Sequence, residues 1–402
     1  MCFLNLRGQK RIRGGFLMTG IIRLHNVKEI VFGPGSLEQL GAICKKLGAT
    51  KTMVVIDPNL KESLTDKITK ILETSEIQSK FFSDLTAEPA LELADACGKE
   101  VTSFGAEIVI GIGGGSAMDV AKAAAMLATN GGNAVDYVGV DTVKKPCLPT
   151  IMIPTTAGTG SEVSRTAVFI NKAKNTKGGI NSDFMYPDVA LLDPLLTLTV
   201  PPKVTAYTGI DALTHGIESF VSRTANEISR MYALEGITRI GRSIRRAYFN
   251  GSDLEARTDM LLGSLLAGIS LANAGVGAVH GLSYPLGGEY GVPHGLANAL
   301  LLPTVMEFNI PAAINEFANI AHALGEDTRL TTARESALAS VKAIRNLYID
   351  ISMTEKLSDF DIPRAALQKM AETTLNNLKR VFDNNPRPVS LKEAVAIYEE
   401  AY

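Results

Sequence analysis

The chain has no tryptophan, only five histidines and only four cysteines in 402 residues. Aromatic side chains make up 6% of it, too few to suggest a stacking platform for single-stranded nucleic acid. The net charge of −2 offers no basic field for a polyanion or an anionic membrane surface. Neither a nucleic-acid nor a membrane partner is expected, and no apolar run reaches the length needed to span a bilayer. Cys2, Cys44, Cys97 and Cys147 stand far apart, with no C-x-x-C pair. They read as reduced thiols in a cytoplasmic protein. Residues 1–20 carry basic side chains but no apolar run of signal-peptide length. They are expected to form a disordered extension, and Met18 offers an alternative start.

What is present suits a folded chain, with 46% hydrophobic and 20% charged residues. Its length favours two domains. Residues 21–200 alternate strand and helix signals. Short apolar runs at 52–57, 80–83, 107–113, 150–154, 165–170 and 188–193 read as strands. Helical spacing follows Asp57 and recurs at 88–104 and 117–128. Such alternation predicts an α/β domain with a parallel sheet and crossover helices. After Pro201-Pro202 the pattern becomes helical to residue 402. The expected boundary lies at 200, with an all-α domain over 201–402. Residues 226–248 predict an amphipathic helix with Ile228, Met231, Leu234, Ile237 and Ile240 inside. Arg239, Arg242, Arg245 and Arg246 form its solvated face. A cleft between the domains is the expected ligand site.

Residues 108–122, IVIGIGGGSAMDVAK, read as strand, glycine turn and helix. Glycines let backbone N–H groups approach a phosphate, and the helix N-terminus adds a positive dipole end. Ser116 suits an N-cap or a phosphate contact. Asp119, in the first turn, suits the dipole but not a bare anion close by. The spacing is neither the G-x-G-x-x-G fingerprint nor a P-loop, and a ligand-free tight turn is the alternative. Asp57 ends its strand, where an acid can hold an adenosine ribose and repel a 2′-phosphate. That favours NAD over NADP if a dinucleotide binds. A second loop, 154–166, gathers Thr155, Thr156, Thr159, Ser161 and Ser164 between two strand signals.

The histidines are unevenly placed. Asp211 and His215 lie four apart on one predicted helix, and so share a face. His280 and His294 lie fourteen apart in a stretch rich in glycine and proline, expected to be a loop. One carboxylate and three imidazoles suit Fe(II) or Zn(II), and not the all-oxygen shells of Ca(II) or Mg(II). Each histidine alone could equally be structural. His25 and His322 have no such partners in sequence and are left aside.

Four motifs, GGGSAMDVAKA, PTTAGTGSEVS, TGIDALTHGIESFVS and HGLSYPLGG…VPHGLANALLLP, together resemble the iron-containing (group III) alcohol dehydrogenases. These share a dehydroquinate synthase-like fold. The resemblance runs from about residue 21 to the end. It implies a dinucleotide-binding domain, a helical metal-binding domain, and reversible hydride transfer between NAD(H) and a small primary alcohol or diol and its aldehyde. It implies Fe2+ (Zn2+ as the substitute) on Asp211, His215, His280 and His294. It assigns Gly114, Gly115 and Ser116 to the pyrophosphate, Asp57 to the ribose, and Thr155, Thr156, Thr159 and Lys177 to further cofactor contacts. Asp119 is counted with them. Family members are expected to be dimers or larger. Two positions depart from the pattern. Tyr284 stands where a proton-relay histidine is common, and Glu88 stands where an adenosine-side asparagine is expected. The alternatives are a hydroxyacid–oxoacid transhydrogenase, and a reductase of a functionalised, acidic aldehyde.

Overall fold

The computed structural model describes residues 21–86, 88–172 and 176–402, so the extension expected at 1–20 lies outside the described residues. Six strands form one parallel sheet. They are β1 (Glu29–Phe32), β2 (Lys51–Ile56), β3 (Gln78–Phe82), β4 (Ile108–Gly113), β6 (Thr150–Pro154) and β9 (Val189–Leu192). Their spatial order is β1-β9-β6-β4-β2-β3, every pairing parallel. The chain leaves β2 outward to β3, then returns across to β4 and beyond. The topological switch therefore falls between β2 and β4, and ligands of open α/β sheets bind at such points.

The sheet is buried on both faces. Alternate residues of β2 and β4 enter opposite cores, Val54, Ile56, Ile110 and Ile112 on one side, Met53, Val55 and Val109 on the other. Helices α1 (Leu40–Lys46), α2 (Lys61–Thr74), α3 (Leu91–Phe104) and α4 (Gly115–Asn130) supply the crossovers. The sequence treats all strand signals before residue 200 alike, but one of them belongs elsewhere. Strand β7 (Thr166–Asn171) pairs antiparallel with β8 (Thr176–Asn181), which pairs with the short β5 (Gly139–Val140) in a second sheet. Its alternating burial, unlike the continuous burial of β4 and β6, reflects this one-sided position.

From Pro202 onward the described chain is helical: α5 (Pro202–Val221), α6 (Glu227–Phe249), α7 (Leu254–Ala274), α8 (Ala278–Tyr290), α9 (His294–Asn309), then further helices ending at Ala401. One apolar core unites them, with Ile210, Leu213, Ile217, Ile237, Leu282 and Leu302 inside. A smaller cluster joins the halves, setting Ala190 and Leu192 of β9 against Leu261, Leu265 and Ile269 of α7. Helix α6 carries the predicted stripe except at Met231, which is 69% exposed near its first turn. Its arginines are paired: Arg239 and Arg242 with Asp259, Arg245 with Asp350, Arg246 with Asp253 and Glu255.

The expected loop over 278–295 is instead mostly helix. α8 runs through Pro285 and α9 begins at His294. Gly291 caps the end of α8 in the left-handed region, but the glycines inside α8 serve close packing. A Cβ on Gly281 would lie 2.8 Å from the Phe382 ring.

Candidate active site

Helix α5 places Asp211 and His215 on one buried face, as i,i+4 spacing requires. Helix α8 brings His280, and the first residue of α9 brings His294. Gly295 allows that last approach, since a Cβ there would sit 2.2 Å from the Tyr207 carbonyl oxygen on α5. Asp211 Oδ1 lies 3.9 Å from His215 Nε2, 3.8 Å from His280 Nε2 and 3.7 Å from His294 Nε2. One donor atom each from Asp211, His215 and His280 fits within 4.8 Å of the others. Four ligands at metal bond lengths near 2.1 Å would stand about 3.4 Å apart on a tetrahedron, so the cluster is slightly expanded. The rings of His215 and His280 stack with centroids 4.8 Å apart.

The other ring nitrogens fix the tautomers. His280 Nδ1 donates to Glu218 Oε2 at 2.5 Å, and His215 Nδ1 donates to the Gly158 carbonyl at 3.3 Å. Both Nε2 lone pairs are thereby left for the centre. Glu218 Oε1 also accepts from the Val279 backbone N–H at 2.7 Å. Burial pushes the His280 imidazole down, but the Glu218 and Asp211 carboxylates together outweigh it and the net displacement is upward. Burial lowers His215 against the pull of Asp211. Burial, helped by His280 and Lys177, pushes His294 down to about 3. For Asp211, burial acts upward, yet the three imidazoles and the Asn298 amide hold the carboxyl below its usual range.

Asn298, one turn after His294, also faces this group. Its Nδ2 lies 2.7 Å from Asp211 Oδ1, 3.0 Å from His280 Nε2 and 3.4 Å from His294 Nε2. Its Oδ1 is buried with no hydrogen-bond partner. Converging lone pairs beside an orphaned amide oxygen mark a place for an electropositive group, and this donor set fits a divalent transition cation. The cluster is open on one side only: the His294 side chain is 33% exposed and the other three are at most 6% exposed.

The glycine turn lies at the switch point. Gly113 has φ +147°, and a Cβ there would meet Asp57 and Ala117 at 2.9 Å. Asp57, at the end of β2, thus stands beside the turn that ends β4. Asp57 Oδ1 accepts from the Asn59 backbone and side-chain amides at 2.9 and 3.0 Å. Gly114 is the N-cap of α4 and makes no side-chain cap, and Ser116 lies in the first turn. The loop after β6 packs on the turn. Thr155 N–H donates to the Gly113 carbonyl at 3.0 Å, and the Thr159 methyl would lie 3.0 Å from a Cβ on Gly115. Thr156 Oγ1 would be 3.7 Å from a Cβ on Gly114. The same loop carries Gly158, the partner of His215. One three-residue stretch, 157–159, therefore joins the glycine turn to the histidine cluster.

Three expectations meet a different geometry. Asp119 points inward: its carboxylate accepts from Ser161 Oγ at 2.6 Å and Val168 N–H at 2.8 Å, and pairs with buried Lys122 at 3.1 Å. With both oxygens engaged and the residue 9% exposed, it braces α4 against β7 rather than meeting a cofactor. Glu88 pairs with Lys177 at 2.7 Å, and a Cβ on Gly287 of α8 would lie 2.7 Å from the same ammonium. Glu88 thus belongs beside the helix of His280, not with the adenosine side. Tyr284, one turn after His280, is half-buried. Burial, then the charges of Glu218 and Asp211, raise its phenol above the ordinary value of 10. It can donate a hydrogen bond but stays protonated at neutral pH, which ill suits a base.

Residues 27–194 match the family described as Iron-containing alcohol dehydrogenase, and residues 205–402 match Fe-containing alcohol dehydrogenase family, C-terminal. The chain belongs to the iron-containing alcohol dehydrogenase family. It is 40% identical over 387 residues to long-chain-alcohol dehydrogenase 1 of Geobacillus thermodenitrificans, covering 94% of this chain and 97% of that one. Its fold superposes on a crystal structure of 1,3-propanediol oxidoreductase with TM-score 0.92, at 34% identity, over 95% of this chain and 100% of that one. It superposes on sulfoacetaldehyde reductase from Bifidobacterium kashiwanohense in complex with NAD+ with TM-score 0.85, at 28% identity, over 95% and 99%. This chain is accordingly an alcohol dehydrogenase-type oxidoreductase.

Sequence reasoning overlooked Glu218 and Asn298. Both were reachable by helical spacing. Glu218 lies three residues after His215 on α5, and Asn298 four after His294 on α9.

Proposed function

We propose that the protein interconverts a small primary alcohol or diol and its aldehyde, using NAD(H) and a divalent cation, Fe2+ with Zn2+ as a substitute. Asp211, His215, His280 and His294 would hold the cation. The convergence of donor atoms from Asp211, His215 and His280, with His294 Nε2 3.7 Å from Asp211 Oδ1, is the observation that carries the reading. A cation bound there supplies Lewis-acid polarisation of the substrate oxygen and stabilises developing alkoxide charge. NAD, when bound, takes or gives the hydride.

The chain's own residues do the rest. Gly113 to Ser116 offer backbone N–H groups and a helix N-terminus to the pyrophosphate. Asp57 suits the two hydroxyls of an adenosine ribose and disfavours a 2′-phosphate, hence NAD over NADP. Thr155, Thr156 and Thr159 orient the cofactor across the turn, and through Gly158 the same loop fixes His215. Glu218 keeps His280 in the tautomer that exposes Nε2. Tyr284 holds its proton and can donate to a substrate oxygen. Lys177 lies at the same edge, but Glu88 neutralises it, which favours uncharged substrates over acidic aldehydes. The buried or half-buried free thiols Cys44, Cys97 and Cys147 suit a reducing cytoplasm. We assign the protein to a homo-oligomer, which light scattering would test.

The deciding experiment is a panel of short aldehydes, diols and hydroxy acids with NADH and NADPH, on enzyme loaded anaerobically with Fe2+. Iron-dependent NADH consumption on neutral aldehydes is expected. Wild-type-like turnover in a metal-free His280→Ala sample would defeat the reading. Conversion of a hydroxy acid with an oxo acid and no net NAD consumption would favour the transhydrogenase.

A further inference from the structure

Asn298 is fully buried, yet its carboxamide is used on one side only. Its Nδ2 faces Asp211 Oδ1, His280 Nε2 and His294 Nε2 at 2.7, 3.0 and 3.4 Å, while its Oδ1 is buried without a partner. An amide has two N–H donors, so three acceptors share them. The orientation is dictated by charge: the opposite one would press a carbonyl oxygen against the Asp211 carboxylate. The lone pairs that Asn298 meets are the same lone pairs that a cation would take. Once they are taken, the N–H groups lose their acceptors and point their positive end at a positive charge. The unpartnered oxygen sits on the same carbon, half a turn of χ2 away, and that torsion is soft for asparagine.

We propose that Asn298 is a two-position positioning residue for the metal centre. In the metal-free protein its N–H groups screen the converging lone pairs. With a cation bound, the carboxamide turns and presents its oxygen inward. The side chain thus stabilises both forms, and it sets cation affinity without being one of the four ligands. This rests on the metal assignment made above.

The test is competition for Zn2+ between the protein and a chromophoric chelator, with melting curves of the metal-free and loaded forms. It uses wild type, Asn298→Leu and Asn298→Asp. Leucine keeps the bulk and removes both polar ends. It should weaken zinc about 10-fold or more, as loss of an outer partner of metal ligands does. Aspartate fixes an oxygen inward and adds charge. It should tighten zinc by at least about 10-fold, because a full charge replaces a dipole at close range. Both should melt earlier than wild type when metal-free, so the two variants agree without metal and split with it. Zinc affinity within about twofold of wild type in both variants, or tighter binding by Asn298→Leu, would overturn the proposal. Should Asn298→Leu fail to fold, looser binding by Asn298→Asp does the same. Failure of the wild type to bind zinc would sink the metal assignment and this inference together.

Discussion

The two halves of the site are built in different ways. At the switch point of the sheet, recognition is carried by backbone: a glycine at φ +147°, a helix N-terminus opened by glycine and a threonine loop laid against it. In the helical half it is carried by side chains from α5, α8 and α9, with rings and carboxylates aimed by buried partners. A backbone site needs small residues at fixed places and tolerates change around them. A side-chain cluster depends on every helix that supports it. The difference teaches where each half should fail.

Removing one ligand should do the most damage. His280→Ala is expected to lose its metal and at least about 1,000-fold in turnover, the several kcal/mol of charge stabilisation that the cation supplies. NADH affinity, measured by fluorescence titration, should survive; joint loss of both would break the division into halves.

Glu162 tests the seam, since it sits on the turn after the threonine loop that packs on α7. It is 1% exposed, its Oε1 has no partner, and burial raises its carboxyl from 4.5 to about 7 against the pull of Lys122. The fold then binds this proton more tightly than the unfolded chain does. Its stabilising share is complete below pH 4.5 and is lost as pH rises through about 7. Glu162→Gln should match wild type near pH 4 and be about 3 kcal/mol more stable at pH 8, read from denaturant unfolding. Equal stability at pH 8 would mean that Glu162 is ionised without penalty.

Glu218→Gln keeps the shape and removes the charge behind His280. Metal affinity should fall about 10- to 100-fold in chelator competition, with the four ligands intact. An unchanged affinity would reduce Glu218 to a packing residue. The smallest effect belongs to the other half. Gly113→Ala forces a Cβ to within 2.9 Å of Asp57 and Ala117 at a positive φ. About 1–2 kcal/mol of strain should raise the KM for NAD about 10-fold while metal content holds. Metal loss in this variant would show the halves to be more tightly coupled than one connecting loop implies.

Much of this was legible beforehand. The parallel strands 52–57, 107–113, 150–154 and 188–193 are continuous apolar runs because both faces of the sheet are covered. Asp211 and His215 share a face because four residues make about one helical turn. The stretch 278–295 was misread because glycine and proline usually end helices. Here the glycines of α8 let Phe382 and Lys177 come close, and tertiary packing outweighs helix propensity. Asp119 was misassigned because an acid in the first turn beside a glycine run says nothing about which way its carboxylate points. Its partners, Ser161 and Val168, lie more than forty residues away.

The order of strands and helices, the residue types able to bind a metal, and the glycine turn are properties of local sequence, since period, backbone freedom and ligand chemistry belong to the residues themselves. Only the tertiary structure decided that α8 and α9 converge on α5, that Glu218 stands behind His280, that Glu88 neutralises Lys177 and that Asn298 faces the ligands. Those are matters of direction between segments distant in the chain, and direction is set by packing.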